Sequence, residues 1–473
     1  MVGVSCWRDG QEEGGRGGGR ERGGPGVRAR CGGRGMGRGC AGEGGGAGAG
    51  GRGRRHGRRA GARRTVNGDA RPLDPRVGPR RRNAAARRRS GTPPCFPNRP
   101  RRARIWGASL RDAALCYRPP QNRATDSVTK AARTLARDDG FNFRAAHWGD
   151  LHRRLHEALP PAATVLWGHQ FLSFEEAPGD AGGVVATARV LRTGETVHVP
   201  GDLLVAADGS TSSIRRRLLP DLKLRYAGYC AWRGVFDFAG KESSDTMVGI
   251  RRAYPELGNC LYFDLAYKTH AVLYELPRSR LNWLWYINGP EPELTGSSVT
   301  MEATGAMVAR MRDEAERVWC PELARLVRET AAPFVNVIYD ADPPPPRRAW
   351  AGGRAVVLVG DAAHPTTPHG LRSTNMSVAD ARALGRCLAR WGAGSGPTPA
   401  GRALAEYEAA RRPVVAAQVL HARRLGRIKQ GLPVDGEAEG FDARTATAEG
   451  ALELRQRTMP FFGGVPTAED GSL

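Results

Sequence analysis

Lysine is nearly missing from this chain, with 5 residues against 67 arginines in 473. Its basicity is therefore almost entirely guanidinium, a bias that a G/C-rich coding sequence produces without any functional demand. Nine cysteines (6, 31, 40, 95, 116, 230, 260, 320 and 387) are scattered, and none forms a C-x-x-C pair. That spacing argues against a zinc ribbon or a disulfide framework and for reduced thiols in an intracellular setting, cytoplasmic or organellar. No apolar run approaches the roughly 18 residues a membrane span needs, and no signal-peptide core is visible, so a soluble protein is expected. G-x-S-x-G and H-E-x-x-H strings are absent, and no His/Cys/acid cluster has metal-ligand spacing. These absences argue against nucleophile-elbow hydrolases and zinc proteases, and no metal is expected.

What is abundant is abundant in one place. The formal charge is +24, yet residues 1–104 hold 27 Arg, no Lys and 7 acids, a net of +20. The remaining residues carry 45 basic and 41 acidic groups. Glycine is skewed likewise, with 24 of 63 in the first 60 positions. Two polymers are joined: a Gly/Arg-rich leader that cannot bury a core, expected to be disordered, and a nearly charge-balanced body. The leader is Arg-rich and acid-poor, as transit peptides are, but too Ser-poor and Gly-rich to be assigned as one. Arg16-Gly17-Gly18-Gly19-Arg20 and Arg22-Gly23-Gly24 resemble RGG segments, so RNA binding through the leader is one reading of it. The body carries almost none of the charge, which argues against nucleic acid as its partner.

Patterned sequence begins near Asp126. Arg144–Leu159 spaces Leu151, Leu155 and Leu159 by four, the stripe of an amphipathic helix that ends at Pro160-Pro161. Residues 165–174, 184–190 and 195–199 read as strands. Residues 226–290, rich in Tyr, Trp and Val, read as an antiparallel sheet. Residues 302–331 read as helical, 355–359 as a buried strand followed by a long helix to about Arg390, and 401–431 as a helix with Pro413 as a kink. Strand–turn–helix units bracketing antiparallel strands predict an α/β (α+β) nucleotide fold with an inserted β lobe.

Two strings carry chemistry. Val359-Gly360-Asp361-Ala362-Ala363-His364-Pro365, with Pro368, Gly370, Asn375 and the helix Met376–Ala381, follows a buried strand. Gly360 lets backbone pass close to a ligand, and Asp361 stands at the strand's carboxyl end, where open α/β sheets bind cofactors. The helix beginning near Ser373 turns free N–H groups toward the same crevice and favours negative charge there. The second string, Asp208-Gly209-Ser210-Thr211-Ser212-Ser213-Ile214-Arg215, places Ser212 and Arg215 three apart, with Asp208 at the mouth. It is suited to holding a pyrophosphate or positioning a nicotinamide, with Arg215 as the cation. His364 and His369 flank the first loop and are candidates for moving protons. Tyr229, Trp232, Tyr262, Tyr274, Trp283, Trp285 and Tyr286 are candidates to line an aromatic pocket, though alternation sends half of them to the other face.

These strings, together with RTLARDDGFNFRAAHWGDLH, YAGYCAWRGVF and PFVNVIYDADPP, resemble the FAD-dependent aromatic hydroxylases with the p-hydroxybenzoate hydroxylase fold. The likeness is nearer to their 2,6-dihydroxypyridine 3-monooxygenase-like branch and runs over roughly residues 125–430. It implies a Rossmann-like FAD-binding domain with an inserted antiparallel β-sheet substrate lobe and C-terminal helices. It also implies an enzyme in which NAD(P)H reduces FAD and O2 then serves, through a flavin hydroperoxide, to hydroxylate a small aromatic or heteroaromatic molecule. By resemblance Asp361 bonds the ribityl chain, Pro368 lies near the isoalloxazine and Asn375 faces its pyrimidine edge. Asp208 serves FAD positioning and nicotinamide passage. The implied division is a leader 1–104, an FAD-binding domain of 105–224 and 331–432, a substrate lobe 225–330, and a tail 433–473.

Departures are informative. In the family's P-x-x-G-x-G-x-N, the glycine places hold Leu371 and Ser373, with Gly370 one place early, and Trp148 stands where many relatives have Arg. The opening strand–G-x-G-x-x-G–helix unit is not found. Gly46–Gly51 matches the string but has neither strand before it nor helix after it, and Val2–Cys6 is at most a remnant of such a helix start. A fold incomplete at its N-terminus is therefore expected, and a non-catalytic relative that binds FAD weakly is the alternative reading.

Overall fold

Alternation along the longest strands decides the architecture. In the computed structural model, β-strands run over Val2–Val4 (β1), Ala114–Tyr117 (β2), Pro120–Thr125 (β3), Ala132–Arg137 (β4) and Phe143–Ala146 (β5). Helix α1, Trp148–Glu157, follows, then strands His169–Glu176 (β6), Val184–Val190 (β7), Thr196–Gly201 (β8) and Leu204–Ala206 (β9). Next come helix Ser213–Leu218 (α2), strand Leu224–Asp237 (β10) and helix Asp245–Ala253 (α3). Strands Leu261–Ala266 (β11), Thr269–Leu276 (β12), Arg280–Asn288 (β13) and Thr300–Met301 (β14) lead to helices Gly305–Val318 (α4) and Pro321–Glu329 (α5). The chain closes with strands Phe334–Ala341 (β15), Ala351–Gly352 (β16) and Val356–Leu358 (β17), and helices Ser373–Trp391 (α6) and Pro399–Lys429 (α7). The structure describes residues 2–4, 114–117, 120–139, 143–176, 183–294, 298–344, 350–352, 355–391, 399–434, 436–447 and 449–455, all within one compact unit. The rest of the leader 1–104, the Gly46–Gly51 string and much of the tail lie outside the described residues.

An eight-stranded sheet, ordered β14-β15-β10-β13-β12-β11-β3-β4, is antiparallel except where β3 runs parallel to β11. Successive residues of a strand face opposite sides. Trp232, Trp283, Trp285 and Tyr262 therefore pack under α3, α4 and α5, against Met247, Ile250, Met311, Leu323 and Leu326. Tyr229, Leu284, Tyr286, Phe263 and Val272 face the other way and meet Ile428 at the end of α7. A second, four-stranded sheet, β1-β9-β17-β16, is parallel at β1-β9-β17 and closed by a β16–β17 hairpin. Its three-residue strands are short, and β9 and β17 are buried among Leu204, Ala206 and Val356–Leu358.

Three expectations change. Residues 2–4 are a strand alongside β9, in register Val2↔Leu204 to Val4↔Ala206, rather than the start of a helix. Residues 302–331 form two helices, because Pro321 has no N–H to continue α4 and biases Cys320 to extended backbone (φ −62°, ψ 154°). Strands β3, β4 and β15, in spans assigned by sequence to the cofactor-binding domain, are hydrogen-bonded into the eight-stranded sheet. For β3 the reason is a buried polar cluster that linear reading does not show. Asp264 of β11, 1 % exposed, accepts from Arg123 Nε (2.7 Å), Thr125 Oγ1 (2.6 Å) and Tyr254 Oη (2.8 Å). Arg123, itself buried, also donates to the Ala253 carbonyl (2.7 Å) and stacks over the Tyr254 ring.

Removing one member of a buried ion pair leaves the other charge without compensation. Asp264→Ala is expected to lower the unfolding free energy by about 3–5 kcal/mol, read by urea denaturation. Asp139→Ala, at an exposed partner of Arg137, is expected to change it by less than about 1 kcal/mol.

Candidate functional site

β9 and β17 are parallel neighbours in register Leu204↔Val356 to Ala206↔Leu358, so the loops leaving them emerge side by side. The two strings separated in sequence are thereby brought to one edge, the carboxyl end of the small sheet. The Val359 N–H donates to the Ala206 carbonyl (3.0 Å), extending the pairing to the lip of the crevice.

On the first loop, Gly209 takes φ +79°, a conformation that favours glycine, and turns the chain into α2. Ser212 caps that helix, its Oγ accepting from the Arg215 N–H (2.9 Å). Asp208 Oδ2 accepts from the Ser213 N–H (2.8 Å) and Ser213 Oγ (3.3 Å), while Oδ1 is buried with no hydrogen-bond partner among the described residues. Arg215, 2 % exposed, reaches across to the other loop: Nη1 donates to the carbonyls of Asp361 (3.1 Å) and Ala362 (2.9 Å), and Nη2 to that of Ser210. Burial brings its pKa down to about 10, with Asp208 opposing, so the guanidinium remains charged near neutrality. Ser212 and Arg215, expected from the sequence to hold a pyrophosphate or position a nicotinamide, here serve as a helix cap and as a strut between the two loops.

On the second loop, Gly360 takes φ +58°, and a Cβ there would stand 2.8 Å from Ser377 Oγ, so α6 lies against bare backbone. Asp361 is half-buried, with Oδ1 accepting from Ser373 Oγ (2.7 Å) at the first residue of α6. Asn375 is exposed in the first turn of that helix, whose N–H groups ahead of Met376 have no intrahelical acceptor. Pro368 and Gly370 bound a 3-10 turn, and Leu371 follows at φ +54°, ψ 27°. A left-handed non-glycine residue costs about 1–2 kcal/mol, and Leu371 bears that cost at a place where the family pattern has glycine.

The two histidines have separate surroundings. His364 is buried, with Nε2 2.5 Å from Asp380 Oδ2. His369, 2 % exposed, holds Nδ1 3.2 Å from Tyr229 Oη and lies against the rings of Tyr286 (4.8 Å) and His270 (5.1 Å). Burial, reinforced by His270, Lys429 and Arg233, drives the His369 pKa well below the ordinary imidazole range. Burial and Lys429 bring His270 down to about 3. Both imidazoles are neutral at physiological pH, so neither carries a proton in reserve. Of the seven aromatic candidates, Tyr229 and Tyr286 share this face with His369, while Trp232, Tyr262, Trp283 and Trp285 lie in the opposite core. Trp148 stacks on His152 (5.1 Å) and is 53 % exposed.

Sequence reading gave Asp380 no role of its own within the helix Met376–Ala381 and missed Arg411 and Gly426. The first two are buried partners on α6 and α7, in stretches that show only helix periodicity. A Cβ on Gly426 would strike Tyr229 Oη and His369, so that glycine lets α7 approach the aromatic cluster. Among the described residues no group of three or more His, Cys, Asp or Glu could hold a metal, and no helix is long and apolar enough to cross a membrane.

Residues 347–422, which contain the Gly360 loop, match the family model described as FAD binding domain. The chain is 30% identical over 326 residues to aurachin C monooxygenase/isomerase of Stigmatella aurantiaca, covering 68% of this chain and 73% of that protein. It is also 30% identical to 3-amino-4-hydroxybenzoate 2-monooxygenase of Streptomyces cremeus, covering 77% and 84% respectively. The chain belongs to the FAD-dependent aromatic hydroxylases. Its fold is that of 2,6-dihydroxypyridine-3-hydroxylase from Arthrobacter nicotinovorans, at a TM-score of 0.56 and 19% identity over 71% of this chain and 82% of that one. FAD is the cofactor of these hydroxylases, and NAD(P)H is their usual co-substrate. The residues at the crevice fit a flavin: an orphaned carboxylate oxygen on Asp208, a carboxylate beside a helix N-terminus, and a glycine where backbone must stay bare.

The neutral histidines of this hydroxylase make its stability depend on pH. Their folded pKa values lie below the unfolded value of about 6.5, so the unfolded chain takes up protons first as pH falls. The stability these groups contribute is full above about pH 6.5 and is lost on acidification by about 1.4 kcal/mol per pH unit for each group. Urea denaturation between pH 7.5 and 4.5 is expected to show this slope, and His270→Gln to reduce it by about one proton's worth.

Proposed function

We propose that this chain holds FAD at the carboxyl ends of β9 and β17 and hydroxylates a small aromatic or heteroaromatic substrate lodged between the Gly360–Leu371 loop and the eight-stranded sheet. The observation that carries the reading is the convergence of Asp208 and Asp361 at one sheet edge, each aimed at the mouth of α2 or α6. When bound and reduced by NAD(P)H, FAD supplies the activation of O2; the protein's part is to bind, orient and keep water out.

In this reading Asp361 accepts hydroxyl hydrogen bonds from the ribityl chain, Gly360 and Gly370 keep backbone close to the ring, and Pro368 shapes its edge. The N–H groups at Ser373–Asn375 face the pyrimidine side, where a positive helix end stabilises negative charge. Asp208 and Gly209 complete the other wall, with Ser212 and Arg215 setting its position. Tyr229, Tyr286 and His369, buried and packed ring against ring, back the Gly360–Leu371 loop on the side of the larger sheet. His369 presents a neutral imidazole there, with one ring N–H to donate and one bare ring nitrogen to accept a hydrogen bond.

The division of labour follows the strands: β1, β9, β16 and β17 with α2, α6 and α7 hold the cofactor. The larger sheet, with β3, β4 and β15 included, holds the substrate.

Asp361→Ala is expected to weaken FAD binding by about tenfold or more, the equivalent of one hydrogen bond to a charged group, in a fluorescence titration of the purified full chain. Tyr226→Phe, at a residue hydrogen-bonded to the Gly289 carbonyl, is expected to leave that affinity unchanged. Equal affinities in the two variants and the parent would remove Asp361 from the site.

A further inference from the structure

α6 contains one carboxylate that is fully buried and three ways bonded. Asp380 is 0 % exposed; its Oδ2 accepts from the Gly360 N–H (2.9 Å) and from His364 Nε2 (2.5 Å), and its Oδ1 from Arg411 Nε (2.7 Å). Nε2 faces a carboxylate oxygen and so donates to it, while Nδ1 has no partner among the described residues. Burial alone would raise the Asp380 pKa, but His364 and Arg411 outweigh it and hold the carboxylate below its usual range. Arg411 is likewise 0 % exposed, with Nη1 and Nη2 unpartnered among the described residues. The pair is thus a neutral unit sealed between α6 and α7, and the bonds it offers outward go to the Gly360 loop.

We propose that Asp380 is the positioning residue for the flavin loop, fixing Gly360 and His364 so that Asp361 meets the cofactor in one geometry. The inference rests on reading that loop as the FAD site. Two independent tethers support it. Ser373 holds the Asp361 side chain at the helix N-terminus, and Arg215 holds the Asp361 and Ala362 carbonyls from the opposite loop. Asp380 supplies the third, gripping the residue before Asp361 and the one three places after it. With the loop pinned on its protein side, the Asp361 carboxylate is the group left toward the crevice. Gly360 sits at a left-handed turn whose amide would otherwise be buried without an acceptor. Asp380 acts through that amide and makes no contact with substrate itself.

Removing Asp380 alone would strand the Arg411 charge, so the test uses paired variants of the full chain. Asp380→Leu with Arg411→Met keeps the interior neutral and apolar but deletes the acceptor. Asp380→Asn with Arg411→Met keeps one oxygen for both Gly360 and His364 and turns its amide toward the vacated guanidinium space. The Leu/Met pair is expected to fold, to bind FAD about tenfold more weakly, and to show faster amide exchange in peptides covering 356–372 but not in those from the eight-stranded sheet. The Asn/Met pair is expected to restore affinity and protection. If the Leu/Met chain does not fold, Asp380→Ser with Arg411→Met, whose hydroxyl stops short of Gly360, makes the same comparison. Parental affinity and parental exchange in the acceptor-deleted pair, or failure of the Asn/Met pair to rescue, would overturn the assignment. Should the parent take up no FAD, the functional reading fails, while amide exchange in the FAD-free chain still decides whether Asp380 orders the loop.

Discussion

The pairing of two short parallel strands, Leu204–Ala206 with Val356–Leu358, is the constraint on which the rest depends. Parallel strands cannot be joined by a tight turn, so the chain between them must cross over, and here it builds six of the eight strands of the larger sheet on the way. The register of those three residues fixes where two loops leave the sheet. Arg215 then bonds carbonyls across the gap. A guanidinium buried against backbone oxygens is directional and charged, and it holds the loops at a separation that apolar packing alone would not specify.

The larger sheet answers a different need. Its two faces are both buried, one beneath the helices α3, α4 and α5 and one toward the Gly360–Leu371 loop and α7. Large aromatic residues fill the first face, where close packing stabilises and nothing must move. The second face mixes Tyr229, Tyr286, His270 and His369; Tyr229 Oη meets His369 Nδ1, His270 Nδ1 meets Gln430 just past α7, and Tyr286 stacks on His270. Polar groups buried at such a surface hold a defined arrangement only while each has a partner, which makes the cluster both specific and sensitive to acid.

The pattern of the strands was legible before the fold was known. Trp283 and Trp285 alternate with Leu284 and Tyr286, and that period divided the aromatic candidates between the two faces. What the pattern withheld was partnership. Arg123 and Asp264 are a buried pair 141 residues apart, and neither strand announces the other. Pro120–Thr125 is polar enough to pass for a loop, and it becomes a strand because Asp264 and Tyr254 receive its side chains. Asp380 and Arg411 sit in unremarkable helical stretches for the same reason. Arg215 was legible as a cation at the loop but not as a bridge to the Asp361 and Ala362 carbonyls, because a sequence motif gives residue type and spacing but not the direction in which a long side chain turns.

By itself the sequence determined the family and the cofactor, and it singled out two loops, because glycine and aspartate at a strand end are what local backbone geometry there favours. It also determined that the basic leader and the balanced body are different polymers. Only the tertiary structure decided that Val2–Val4 lies beside Leu204–Ala206, that Arg215 serves the protein's own carbonyls, and that His364 is committed to Asp380. Those outcomes depend on which distant groups share a buried, low-dielectric space, where an unpaired donor or charge costs far more than in water, and that proximity is settled by folding rather than by order along the chain.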